Sequence, residues 1–72
     1  MAKEGSAVYR VTDVIGTSSS SWEEAAKNAV KTASKSLRDL RIAEVTKLDV
    51  RIEDGKITQF RARLSLSFKY EG

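Results

Sequence analysis

The sequence predicts an α+β subunit with the element order β-α-β-β, in which a three-stranded antiparallel sheet curls around one helix. Three features indicate this fold: an alternating segment near the start, an amphipathic segment after it, and a long hairpin in the second half. A chain of 72 residues has room for one hydrophobic core. Residues 1–7 are expected to be a flexible tail, and residues 8–72 a single domain.

The first strand is predicted over residues 8–15, where polar and apolar side chains alternate and β-branched residues are frequent. Gly16 follows this segment and is expected to end the strand. The serine-rich stretch after Gly16 is interpreted as the start of a helix, because its serines precede glutamates at helix-capping spacing.

The helix is predicted to run from residue 22 to residue 37 or 40. Ser20 and Ser21 are each followed three residues later by a glutamate, which is the spacing of a capping box. The apolar residues then recur on one stripe, and four of them are alanines, so the helix is expected to lie close to a sheet. This stripe comprises Trp22, Ala25, Ala26, Ala29, Val30, Ala33 and Leu37. Its tryptophan is expected to pack in the core.

The second half is predicted to be a hairpin that turns at Asp54-Gly55, a pair typical of type I′ turns. A right-handed crossover makes the first two strands parallel and leaves room for the third strand between them. Counting outward from the turn predicts the pairs Glu53–Lys56, Ile52–Ile57, Leu48–Arg61, Thr46–Arg63 and Val45–Leu64. The core face of the last strand is predicted to carry Phe60, Ala62, Leu64, Leu66, Phe68 and Tyr70.

In this register, Leu48, Val50 and Ile52 point away from the core face. Either a bulge near residues 46–47 shifts the register, or these side chains face a second surface. The lengths favour the second surface, because a helix of about 16 residues spans about 24 Å. Strands of about 13 residues span roughly 40 Å. Leu48, Val50, Ile52 and Ile57 lie in the overhang, so we expect them to form the interface of a homo-oligomer.

Composition excludes several classes of function. The chain has no histidine and no cysteine, which removes the usual general base and nucleophile, so we expect no enzymatic activity. A net charge of +3 is too small to indicate a nucleic-acid partner. No apolar run is long enough to span a membrane, and residues 1–7 lack the features of a signal peptide, so a cytoplasmic location is expected.

Several segments together resemble the dodecin family. They are YRVTDVIGTS at residues 9–18, SWEEAA at 21–26, AEV at 43–45 and LSFKY at 66–70. The resemblance covers residues 8–70 in the family's element order. It implies a hollow dodecamer of β-α-β-β subunits that stores riboflavin, FMN or related flavins as stacked pairs without catalysing a reaction.

The resemblance also implies which residues occupy the flavin position: Ile42, Glu44, Arg61 and Arg63. Ile42 stands where flavin-binding dodecins carry a stacking tryptophan, and an isoleucine offers no aromatic face. We therefore expect weak flavin binding or none. Arg61 and Arg63 are expected to pair with Glu44 or to receive an anion such as a flavin phosphate.

A variant branch of the family lacks the stacking tryptophan, and some of its members are called calcium dodecins. The Ser-Trp-Glu helix start and the Phe-Lys-Tyr ending are similar to that branch. The alternative function is therefore a calcium-binding or purely structural dodecamer. Its loosely defined metal ligands are Glu44, Asp49 and Asp13, gathered from several subunits, because calcium prefers oxygen ligands.

Overall fold

The computed structural model describes residues 8–69, which form three strands and one helix. The elements are β1 (Tyr9–Ser18), α1 (Trp22–Ala33), β2 (Leu40–Glu53) and β3 (Lys56–Lys69). The strand order is β1-β3-β2, and β3 is antiparallel to both neighbours. This arrangement confirms the predicted β-α-β-β fold. The tail at 1–7 and the predicted core residue Tyr70 lie outside the described residues.

Strand β1 continues through Gly16 to Ser18, so the prediction that Gly16 ends the strand is wrong. The glycine is needed for close packing of the helix instead. A Cβ atom at Gly16 would lie 2.0 Å from the backbone oxygen of Ala25 and 2.8 Å from the Cβ of Ala29. The backbone of β1 therefore touches the small-residue stripe of α1 directly.

Helix α1 begins as predicted, because the Ser21 hydroxyl accepts a hydrogen bond of 3.0 Å from the backbone N–H of Glu24. It ends at Ala33, earlier than the predicted residue 37 or 40. After Ala33 the backbone bonds tighten to the i−3 pattern, with the Lys35 N–H donating to the Thr32 carbonyl at 3.2 Å and the Ser36 N–H to the Ala33 carbonyl at 3.1 Å. Within residues 8–69, no helix is both long and apolar enough to cross a membrane.

The core lies between α1 and the middle of the sheet. Its buried members are Ala25, Ala29, Ala33, Ala62, Leu64 and Leu66, and the partly buried Val14, Ala26, Val30, Leu37 and Leu40 pack against them. Trp22 is 40% exposed, so its expected place in the core is wrong. Its ring instead contacts Phe60 of the central strand β3 edge to face, with ring centroids 5.2 Å apart and planes at 77°.

The pairing of β2 with β3 shifts at three places, at Arg41, Thr46 and Thr58, and the two threonine bulges set the register of the middle of the hairpin. Thr46 is the extra residue on β2, and Thr58 is the extra residue on β3. Each hydroxyl donates to a carbonyl of the partner strand, Thr46 to Arg63 at 3.2 Å and Thr58 to Arg51 at 3.4 Å. The bulge near residues 46–47 that was one of the two sequence alternatives is therefore present.

Between Thr46 and Thr58, the observed strand pairing differs by one residue from the pairing counted outward from the turn. Leu48 pairs with Ala62 and Val50 with Phe60, whereas counting paired Leu48 with Arg61 and Thr46 with Arg63. Leu48 and Val50 thus lie on the helix side of the sheet rather than on the opposite face. The predicted pairs Val45–Leu64, Ile52–Ile57 and Glu53–Lys56 are confirmed.

The hairpin extends well beyond the helix. The described residues measure 56 × 20 × 17 Å along their principal axes, whereas α1, with 12 residues, is about 18 Å long. Ile52 and Ile57 near the turn are 62% and 56% exposed. The helix therefore covers only part of the sheet.

Candidate functional site

The sheet has an outer face, which we define as the face turned away from α1. Because Ala62, Leu64 and Leu66 of β3 face the helix, the alternating residues of β3 lie on the outer face. Antiparallel pairing arranges this face in rows across β1, β3 and β2. The rows are Val11–Ser67–Ile42, Asp13–Ser65–Glu44, Ile15–Arg63–Lys47 and Thr17–Arg61–Asp49.

Arg61 and Asp49 form a two-pronged ion pair in the last of these rows. Arg61 Nε donates to Asp49 Oδ1 at 2.7 Å, and Arg61 Nη2 donates to Oδ2 at 3.1 Å. The hydrogen bonds from Arg61 hold the pKa of the Asp49 carboxyl below its ordinary value, and the nearby charges of Arg61, Lys47 and Arg63 act in the same direction. The same contact raises the pKa of Arg61.

This pair replaces one of the pairings expected from the sequence, in which Glu44 was the carboxylate partner of the arginines. The bulge at Thr58 shifts the register by one residue and places Asp49 directly opposite Arg61, whereas Glu44 lies beyond the second bulge at Thr46 and opposite Ser65. Sequence counting missed the pair because a single inserted residue changes every partner beyond it.

Asp49 is also held through its backbone. The indole Nε1 of Trp22 donates a hydrogen bond of 3.0 Å to the Asp49 carbonyl oxygen. The start of α1 is thereby tied to β2 next to the Arg61–Asp49 pair. The single tryptophan of the chain therefore reports on this part of the sheet.

A cleft of about 180 Å³ opens on the outer face beside the ion pair. It is lined by Ile15, Lys47, Asp49, Arg61 and Arg63. Lys47 and Arg63 are direct partners across β2 and β3, and both are exposed. Lys47 is a member of this cleft that the sequence did not single out, because its position depends on the bulge.

The three carboxylates considered as metal ligands do not all meet in one subunit. Asp13 and Glu44 flank Ser65 from the two sides, which puts their Cα atoms roughly 10 Å apart. Asp49 lies two rows further along the outer face, on Arg61. Within residues 8–69, no three Asp, Glu, His or Cys side chains converge as a metal-binding group.

The four residues predicted for the flavin position spread along the outer face. Ile42 is 63% exposed and lies opposite Ser67. Arg61 is six positions from Ser67 on β3, roughly 20 Å away. Glu44 and Arg63 occupy the two rows between them. A ligand touching both Ile42 and Arg61 therefore has to span the face or lie between two subunits.

The predicted interface residues lie together on the helix side, beyond the start of α1. Leu48 is 49% exposed, Val50 is partly buried beside Phe60, and Ile52 pairs with Ile57 near the turn. We call Leu48, Val50, Ile52 and Ile57 the apolar ledge. A groove of about 390 Å³ lies between α1 and β2 on the same side of the sheet, where Ala26, Val30, Ala43, Val45 and Leu64 line it together with Lys27 and Lys31.

The fold and the charged outer face define a small β-α-β-β protein whose open sheet carries a single helix. The dodecin family model matches residues 8–71, and the chain belongs to the dodecin family. The resemblance stated from the sequence is confirmed. Among solved structures, dodecin from Streptomyces coelicolor superposes with a TM-score of 0.88 at 42% identity, over 93% of this chain and 96% of that one.

The chain is also similar to a relative named for calcium. It is 49% identical over 63 residues to the calcium dodecin of Mycobacterium tuberculosis, covering 86% of this chain and 87% of that protein. The crystal structure of the calcium dodecin from that organism, described as calcium chelating with a novel calcium-binding site, has a TM-score of 0.80 at 46% identity. That superposition covers 89% of this chain and 91% of the other.

Proposed function

We propose that the protein is a non-enzymatic storage shell, a cytoplasmic homo-oligomer of dodecin type that sequesters calcium ions and does not hold flavin by aromatic stacking. The observation that carries the calcium proposal is the row Asp13–Ser65–Glu44, which presents two exposed carboxylates on one side of the sheet. Its support from comparison is the relative named calcium dodecin.

The chemistry of this row suits calcium. Calcium takes six to eight oxygen ligands at about 2.3–2.6 Å, with flexible geometry. Asp13 and Glu44 lie on either side of Ser65 in one row, so an ion bound above Ser65 would meet oxygens from three side chains. Further oxygens would come from water or from a neighbouring subunit of the shell. Asp49 is not assigned to this site, because Arg61 already bonds both of its carboxylate oxygens.

Calorimetric titration of the metal-free protein with CaCl₂ tests the calcium site. We expect saturable binding by the unaltered protein and at least about tenfold weaker binding for Asp13→Asn and for Glu44→Gln, since each variant removes a charged ligand. Asp49→Asn is the matched variant on the same face and should bind calcium normally. Loss of binding in Asp49→Asn alone would move the site to the Arg61 row and overturn this assignment.

Self-association is proposed from the apolar ledge and the groove on the same side of the sheet. Large apolar side chains that residues 8–69 leave exposed or only partly covered are typical of an intersubunit contact. A partner lying on the ledge would supply the second layer that the projecting part of the sheet lacks. We propose a dodecamer, the assembly implied by the family, and sedimentation velocity of the purified protein measures it. A monomer at micromolar concentration would overturn the proposal.

The flavin part of the proposal depends on Ile42. This side chain is exposed on the outer face with Val11 and Ser67 in its row, so a flavin ring would find an aliphatic surface there. Titration of riboflavin, followed by quenching of its fluorescence, should show weak binding or none. Ile42→Trp should increase the affinity by roughly ten- to a hundredfold through stacking. Tight, quenched binding by the unaltered protein would contradict the proposal.

A further inference from the structure

Lys47 and Arg63 create an electrostatic problem on the outer face. They are direct cross-strand partners on β2 and β3, and like charges placed directly opposite each other destabilise a sheet. Both side chains are exposed, and neither has an ion pair with another residue of the described range, where the pairs are Arg51–Glu53 and Arg61–Asp49. The sheet therefore presents two adjacent positive charges without a bonded counter-charge from residues 8–69.

The neighbouring Arg61 does not add to this excess, because Asp49 neutralises it through two hydrogen bonds. The same cleft thus contains the Arg61–Asp49 ion pair and two cations, Lys47 and Arg63, that have no ion-pair partner among residues 8–69. The pKa of the Asp49 carboxyl is held down first by its hydrogen bonds with Arg61 and then also by the charges of Arg61, Lys47 and Arg63. The positive potential of the two cations therefore extends across the cleft.

We propose that the cleft between Lys47 and Arg63 binds a phosphoryl group, either as inorganic phosphate or as a phosphate monoester. The planar guanidinium of Arg63 can donate two parallel hydrogen bonds to phosphate oxygens, and the Lys47 ammonium supplies a point charge from the opposite strand. A dianion between them converts a repulsive pair into two attractive contacts. This inference concerns a different row from the proposed calcium site and does not depend on it.

Ile15 gives the cleft one apolar wall. It completes the Lys47–Arg63 row on the β1 side and is 46% exposed. An organic group esterified to the phosphate can lie against this side chain, whereas inorganic phosphate gains nothing from it. The two sources of the phosphoryl group therefore differ in how they use Ile15.

The first experiment measures binding of inorganic phosphate by calorimetry in a buffer that contains a calcium chelator. The unaltered protein should bind phosphate saturably, and Lys47→Ala and Arg63→Ala should each weaken binding at least about tenfold, since each removes a charge-assisted contact. Lys56→Ala is the control, because Lys56 is an exposed lysine of the same hairpin outside the cleft. An equal loss in Lys56→Ala would indicate nonspecific charge attraction and overturn the proposal.

A second measurement separates an anion site from a merely solvated pair. In low-salt buffer without phosphate, Lys47→Ala should unfold at a slightly higher temperature than the unaltered protein, because the like-charge contact is gone. Phosphate should raise the unfolding temperature of the unaltered protein but not of this variant. If sodium chloride at the same ionic strength raises it equally, screening explains the effect and the site is refuted.

Phenyl phosphate distinguishes the two ligand sources. Tighter binding of phenyl phosphate than of inorganic phosphate, lost in Ile15→Ala, would assign the cleft to phosphate monoesters. Tighter binding of inorganic phosphate would assign it to the free ion. Failure of both probes to bind the unaltered protein would overturn the proposal.

Discussion

The middle of the sheet and its end near the hairpin turn differ in what covers them. Near the middle, α1 lies on β1 and β3 and buries Leu64 and Leu66. Toward the turn, β2 and β3 continue as a bare hairpin with Ile52 and Ile57 exposed on the helix side. The residues are equally apolar in both regions, so the difference lies in the second layer: residues 8–69 supply one for the first region and none for the second.

Trp22 marks the border between these regions. It is the first residue of α1, its ring contacts Phe60 edge-on, and its indole N–H reaches the carbonyl of Asp49. Before this border the sheet is packed by alanines that allow close approach of the helix. Beyond it, the burial of the hairpin depends on another surface, and the following changes should affect the two regions differently.

The largest effect is expected from Gly16→Ala in the helix-covered region. The added methyl group would lie 2.0 Å from the Ala25 backbone oxygen, so α1 must move away from β1 and loosen the core. Overpacking of a core usually lowers the free energy of unfolding by about 1–3 kcal/mol. A substitution that displaces backbone is expected to cost at least the upper value of this range. Urea denaturation should therefore show a loss of about 3 kcal/mol or more in the free energy of unfolding.

Gly55→Ala in the turn is the matched change in the projecting region. Gly55 has a φ of +73° and no atom within 4 Å of its added Cβ, so only the backbone conformation is penalised, by about 1–2 kcal/mol. Equal losses for the two variants would show that the close approach at Gly16 is not a constraint. Both variants should be compared at one protein concentration, because association changes apparent stability.

The next largest effect is expected from Ile52→Asp on the apolar ledge. A charge placed in a dry intersubunit contact has no partner there, so the proposed shell should dissociate. The subunit itself should keep its fold, since Ile52 is mostly exposed within it. Sedimentation velocity should show a smaller species with an unchanged far-ultraviolet circular dichroism spectrum. Ser19→Asp, at an exposed position outside the hairpin, is the control for charge, and an intact shell in Ile52→Asp would contradict the role of the ledge.

Much of the fold was predictable from the sequence wherever local signals determine it. The Ser21 cap, the alanine stripe and the Asp54-Gly55 turn each act over a few residues, and all three were found. The helix end was missed, because the apolar stripe continues to Leu37, which packs on the core, although the backbone bonds change to the i−3 pattern after Ala33. The role of Gly16 was missed because a close approach between distant segments leaves no local pattern.

The pairing of residues on the outer face was less predictable, because it depends on the register of the hairpin. Two threonine bulges, at Thr46 and Thr58, shift the partners between them and then restore the original alignment. Counting from the turn is therefore right beside the turn and again from Val45 to Ile42, and wrong between the two threonines and at Leu40, where a third shift occurs. The Arg61–Asp49 pair and the Lys47–Arg63 pair both lie in the stretch between the two threonine bulges.

A smaller effect is expected from Ser21→Ala at the start of α1. The variant removes the hydroxyl that accepts from the N–H of Glu24, and loss of such a cap typically costs about 1 kcal/mol. Because Trp22 follows directly, fraying should also weaken its bond to Asp49 and change the tryptophan emission. Ser19→Ala, at an exposed position before the cap, should leave both stability and emission unchanged. Equal emission spectra for the two variants would show that the cap does not position Trp22.

The smallest effect is expected from Asp49→Asn, and it should depend on pH. The pKa of the Asp49 carboxyl is lowered in the folded protein, chiefly by its hydrogen bonds with Arg61. A lowered folded-state pKa stabilises the fold at pH values above the ordinary value of 3.8, and this contribution is lost as the pH falls through the folded-state pKa. The unaltered protein should therefore be slightly more stable than Asp49→Asn at pH 7, and the difference should shrink toward pH 3.

The second ion pair of the hairpin is the control for this prediction. Arg51 and Glu53 lie in the projecting region with a single contact of 3.1 Å, and their side chains are 62% and 54% exposed. Arg61 and Asp49 make two contacts, with 42% and 44% exposure. Solvent screens the more exposed pair more strongly, so Glu53→Gln should change stability less than Asp49→Asn at pH 7. The opposite order in urea denaturation would show that the two-pronged geometry of Arg61 adds nothing to the fold.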